Sequence, residues 1–157
     1  MAVRKTPTDS EITTASARDI ETACQALDEI KRQTKRIARL GGGVPNAGLL
    51  LAAADDCPEA VMVTDNEAQI RMVNGSAARL TGLTTRELQS LTIWDVTHAA
   101  SQVDFDILWK EFLRAGRQRG AYAFRHKNGT AVEVAYCAEA NVIPQLHVFV
   151  LRKLPRP

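Results

Sequence analysis

The chain has 157 residues, enough for one domain and an extension, and 45% of them are hydrophobic, enough to bury a core. Twenty basic residues stand against 18 acidic ones, a net charge of +2 that gives no reason to expect nucleic acid as a partner. No apolar run approaches the roughly 20 residues that cross a bilayer. Cys24, Cys57 and Cys137 form neither a CxxC pair nor a metal-ligand spacing, so no metal is expected and a reducing cytoplasm is the simplest compartment.

Residues 1–10 are polar, include Pro7 and read as disordered; no apolar segment follows their basic residues, so they do not read as a secretory signal. From Glu11 to Leu40 there is neither glycine nor proline. Ile20, Ala23, Leu27, Ile30, Thr34 and Ile37 recur at alternating steps of three and four, which predicts an amphipathic helix over 11–40 with a coiled-coil seam. The seam residues Ile20, Ala23, Leu27, Ile30 and Ile37 need a surface to bury against. The helix can fold back or pair with a second chain, and the spacing favours a parallel homodimer. Asp28 and Arg32, four apart, are expected to pair on the outer face, and the run Lys31 to Arg36 reads as a solvated face. Gly41, Gly42, Gly43 and Pro45 mark a linker over 41–48, which overlaps the start of a second helix over Ala47 to Ala54. Cys57-Pro58 then leads into a strand, because proline disfavours helix at the residue before it.

Val61 to Thr64 is a β-favouring run, Asp65-Asn66 supplies turn chemistry, and Gln69 to Val73 resumes the strand pattern. Asn74 is a good helix N-cap and Gly82 suits the left-handed residue that ends a helix. Thr84 to Leu88 is a second short helix, and Asp104 to Ala115 a longer one with Phe105, Leu108, Trp109 and Phe112 at helical spacing. Strands follow around Tyr122 to Thr130, over Ala131 to Glu139 and over Gln145 to Arg152. Strands at both ends with helices between them predict an α+β domain with one antiparallel sheet.

This order resembles the PAS domain. The resemblance rests on Asp65, Ile70, Asn74 and Thr81-Gly82, then Thr84 to Leu88, Ile93-Trp94-Asp95-Val96, and Lys127-Asn128-Gly129 before a hairpin partner. It spans 49–154 and implies a five-stranded antiparallel sheet with helices on one face, preceded here by the amphipathic helix. Two departures stand out. Glu67-Ala68 replaces the usual glycine of the first hairpin, and the last strand lacks the usual Asp-Ile-Thr-Glu continuation.

The resemblance also implies a cavity that some members fill with haem, flavin or a metabolite. Haem is not expected, because the longer helix has no histidine and His98 lies too early. Covalent flavin is not expected, because Leu91 to Ala100 has no cysteine. The cofactor is therefore unknown, and any ligand should be colourless or a non-covalent flavin. Candidate cavity residues are Trp94, Trp109, Tyr122, Tyr136 and His147, although such residues more often serve as plain core. Strand parity puts the Tyr136 hydroxyl in need of a partner, a ligand or a buried backbone group. No GxSxG, HExxH or P-loop motif is present, so no catalytic residues are expected. The expected function is a cytoplasmic, bacterial-type sensory module. It would bind a small ligand or protein partner and relay the change through dimer helices to a kinase or regulator on another chain or outside this stretch. The alternatives are a ligand-free dimerisation scaffold and a transcription regulator acting through the basic helix.

Overall fold

The computed structural model describes residues 14–98 and 104–155. The stretch expected to be disordered, 1–10, lies outside them, as do the first residues of the expected helix, 11–13, and the end of the Leu91 to Ala100 connector. The elements in chain order are α1 (Thr14–Leu40), α2 (Ala47–Asp55), β1 (Ala60–Thr64), β2 (Ile70–Val73), α3 (Gly75–Thr81) and α4 (Thr85–Gln89). They are followed by α5 (Phe105–Ala115), β3 (Arg117–Arg125), β4 (Ala131–Ile143) and β5 (Leu146–Lys153). The five strands form one antiparallel sheet in the order β2-β1-β5-β4-β3.

Alternation divides the sheet into two apolar faces. Met62, Tyr136, Phe149 and Leu151 pack with Leu88, Ile93, Val96 and Phe112 on the face covered by α3 to α5. Their neighbours in the strands, Val61, Val63, Cys137, Val148 and Val150, pack with Leu27, Ile30 and Leu50 on the face covered by α1 and α2. Both sides of the sheet are therefore dry, and the N-terminal helices supply the second cover.

Here the structure corrects the expected use of the α1 seam. Ile20, Ala23, Leu27 and Ile30 are buried against the chain's own sheet, Leu27 completely, and only Ile37 remains open at 42% exposure. Three–four spacing specifies an apolar stripe, and a flat β face covers such a stripe as well as a partner helix does. Thr34 is buried on the same side, and its hydroxyl donates to the Ile30 carbonyl at 2.7 Å. Ion pairs border the stripe: Asp19 with Arg152 at 2.8 Å, Asp28 with Arg117 at 3.1 Å and Lys31 with Glu139 at 2.6 Å. Asp28 thus reaches the sheet rather than Arg32, which pairs with Glu29.

Local chemistry sets the turns. The Asp65 carboxylate accepts from the amides of Glu67 and Gln69 at 2.9 and 3.0 Å, closing the first hairpin where glycine was missing. Ala68 there takes φ 63°, the left-handed region. Asn74 caps α3 by accepting from the Ala77 amide at 3.0 Å. Thr84 and Glu87 form a reciprocal capping box on α4. The strand expected around Tyr122 begins five residues earlier, at Arg117, because β3 is an edge strand whose alternate side chains face water.

Candidate ligand-binding face

The pairing register turns the α5 side of the sheet into rows. Thr64 and His147 share one row. Met62, Phe149, Ala138 and Gln118 form the next, and Ala60, Leu151, Tyr136 and Gly120 the one after. The rows mix large and small residues, and the floor under α5 is mostly apolar.

α5 lays aromatic rings over the first two rows. Trp109 stacks on Phe149, with centroids 6.3 Å apart and planes 8° from parallel, and meets His147 edge-on at 5.7 Å. Phe112 packs against both His147 and Phe149. Trp94 contacts Phe105, whose ring lies 6.3 Å from that of Trp109. Tyr122 and Tyr136 form a separate T-shaped pair, centroids 5.2 Å apart, on β3 and β4. Four of the five sequence-predicted residues therefore share one sheet face in two groups, Trp109 and His147 towards the β1–β2 turn and Tyr122 and Tyr136 towards the sheet edge, while Trp94 lies against Phe105. His98 is not among them; its amide bonds the Ala123 carbonyl at 3.0 Å.

Asn66 ties this end together, and nothing in the sequence marked it beyond turn chemistry. Its carbonyl accepts from the Trp109 indole N–H at 2.8 Å, which fixes α5 on the sheet. Its side-chain Oδ1 lies 2.9 Å from His147 Nε2. The Asn141 amide donates to His147 Nδ1 at 2.9 Å, so the proton sits on Nε2 and is donated to Asn66. The histidine is neutral and fully buried. Burial lowers its pKa from the ordinary 6.5, with Asp65 pulling the other way.

The sign of the pH effect follows. The unfolded chain takes up a proton that folded His147 resists. Stability is complete above about pH 6.5 and falls as the pH drops below it. Urea midpoints at about pH 7.5 and about pH 5.5 should separate more for the wild type than for His147→Gln. Equal separations would remove His147 from the linkage.

The remaining polar groups on this face are uncharged. The Tyr136 hydroxyl donates to Gln118 Oε1 at 3.4 Å, a side chain rather than the backbone group or ligand expected for it. Burial raises the pKa of Tyr136 to about 12 and that of Tyr122 further, so both stay phenols. The Thr64 hydroxyl, beside His147, is fully buried and has no hydrogen-bond partner. The strand pattern hinted at it, since Thr64 shares parity with Met62. Among the described residues no cluster of His, Cys, Asp and Glu is suited to a metal ion.

A five-stranded antiparallel sheet in this order, with short helices on one face, is the arrangement of the PAS fold. Residues 49–115 match the family model described as "PAS domain". Solved structures of similar fold include a domain of a sensory box sensor histidine kinase/response regulator from Geobacter sulfurreducens. Its TM-score is 0.57 at 16% identity, over 64% of this chain and 88% of that one. A second is the PAS domain, in complex with ethanol, of a LuxR-family transcriptional regulator from Burkholderia thailandensis (TM-score 0.54, 12% identity, 66% and 95%). A third is the Rhodobacter sphaeroides LOV protein (TM-score 0.58, 13% identity, 68% and 65%). No curated protein matches the sequence. The chain therefore has the PAS fold, and residues 49–115 match that family's model, with α1 docked on the outer face of the sheet.

Proposed function

We propose that this PAS domain senses a small, uncharged, partly aromatic molecule held between α5 and the sheet, and reports it through α1. The observation that carries the reading is the Thr64 hydroxyl, buried beside aromatic rings with no partner. Such a group costs free energy unless a ligand or water completes it. The polar groups near it and along the same face are neutral: the His147 ring, two phenols and the Gln118 amide. They favour an uncharged ligand, and Trp109, Phe112 and Phe149 favour a flat or apolar one. A neighbour of the same fold is described in complex with ethanol, itself a small neutral molecule.

The relay has a short physical path. His147 and Phe149 face the ligand side, while Val148 and Val150 on the same strand pack against α1. A ligand that prefers one arrangement of the sheet shifts the population of docked α1. Homodimer formation, and delivery of the signal to a kinase or regulator in the cytoplasm, belong to the same reading. A surface available to them is the end of α1 and the linker after it, where Ile37, Leu40 and Val44 stay exposed.

The test is native mass spectrometry of freshly purified protein, with hydrogen exchange of α1 before and after any bound species is stripped. A small adduct, weakened in Thr64→Val, and faster α1 exchange on stripping are expected. A protein free of adduct, whose α1 exchange ignores a panel of neutral aromatic fragments, would instead be a scaffold.

A further inference from the structure

A second concavity, separate from the aromatic rings under α5, opens at the α3 end of the sheet. It measures about 420 Å³ and lies between α3, the β3–β4 turn and the last residues of β5. That size suits a small organic molecule. Its floor is apolar: Leu80, Val132 and Leu151. Its rim is basic, with Arg79 from α3, His126 from the β3–β4 turn and Lys153 from β5.

These basic groups come from three distant parts of the chain, and two are held in place. Arg79 donates to the Ser76 hydroxyl at 3.0 Å, and that hydroxyl donates to the Pro58 carbonyl at 3.0 Å. The His126 ring accepts from the Asn128 amide at its Nδ1, at 3.2 Å, which leaves Nε2 as the donor. The ring rests over Gly82, where a methyl group would come within 2.7 Å of it. Neither Arg79 nor Lys153 has a carboxylate partner among the described residues. The one carboxylate in the wall, Glu59, is bound to Arg152 at 2.6 Å. On the sheet, Arg71, Arg117, Arg119 and Arg152 pair with acids, whereas Arg79 and Lys153, beside this apolar floor, have no such partner among the described residues.

We propose that this pocket binds a small amphiphilic anion, its acidic group on Arg79, His126 and Lys153 and its apolar body on Leu80, Val132 and Leu151. Arginine offers a planar fork and lysine a point charge, which suit a carboxylate or a phosphate monoester. Occupancy would also bear on α1, because Glu59 shares Arg152 with Asp19.

Titration calorimetry on the whole chain, with octanoate and octyl phosphate below their micelle concentrations, tests this. One equivalent of either should bind saturably, and the preferred one identifies the head group. Octan-1-ol and inorganic phosphate, each carrying half of the recognition, should bind at least ~10-fold more weakly. The double variant Arg79→Gln with Lys153→Gln removes two exposed charges and should keep the wild-type circular dichroism while losing at least ~10-fold in affinity. Arg36→Gln, which removes an exposed charge on α1 outside this pocket, should bind as the wild type does. Undiminished binding in the double variant, octanol binding as tightly as octanoate, or no binding of any probe would each overturn the proposal.

Discussion

Asn74→Ala is expected to lower the unfolding free energy by about 3–5 kcal/mol, well beyond the ~1 kcal/mol of a helix cap. The Asn74 amide is saturated. Its Oδ1 accepts from the amides of Val61 and Ala77 at 2.9 and 3.0 Å, and its Nδ2 donates to the carbonyls of Ala54 and Glu59 at 2.9 and 2.8 Å. One buried side chain thereby joins the end of α2, the connector after it, β1 and α3. Alanine leaves two donors and two acceptors without partners in a site closed to water. Asn74→Asp separates the roles. It keeps the cap acceptor but loses both donors, and it sets a carboxylate against two carbonyl oxygens. Urea unfolding should show Asp at least as damaging as Ala at neutral pH, with partial recovery in acid as the carboxyl gains a proton. An aspartate variant as stable as the wild type would reduce Asn74 to a cap.

Leu27→Ala should cost about 2–5 kcal/mol, and Leu27→Asp should undock α1 or unfold the chain. Leu27 is fully buried between α1 and the sheet. Its loss leaves a cavity there, and a charge cannot be solvated there. Protein concentration is the discriminating variable. A loss within one chain gives an unfolding midpoint that is independent of concentration, whereas a dimer seam gives one that rises with it. Limited proteolysis should cut α1 first in Leu27→Asp. A concentration-dependent wild-type midpoint, removed by Leu27→Asp with each chain still folded, would return the seam to a partner subunit.

The α+β order was legible because it is written in local chemistry. Asn74, Thr84 and Gly82 cap helices with their own neighbours, and β1 and β5 read as continuous β-favouring runs because both faces of the sheet are buried there. The α1 stripe was legible too, but its cover was not. Spacing states that a face must be dry without stating whether a helix or a sheet dries it. The start of β3 was hidden because Arg117, Gln118 and Arg119 are polar, as an edge strand permits. In the candidate site, Trp109, Tyr136 and His147 could be found from residue type and parity. Asn66 could not, since its bonds reach Trp109 and His147 over 43 and 81 residues. Thr64 gains its meaning only from what does not bond to it.

Ala68 shows how a turn that asks for glycine can do without it. A left-handed alanine costs about 1–2 kcal/mol of backbone strain. Yet this methyl is buried in the core beneath the short helices, beside Ile70 and Ile93, and a buried methyl-sized group contributes about 0.8 kcal/mol. The Asp65 carboxylate holds the surrounding amides whichever residue stands there. Exchange of alanine for glycine at this corner is therefore close to neutral. Selection on stability alone would let the position drift between the two, so a glycine-based signature for the hairpin fails on this chain although the hairpin itself is intact.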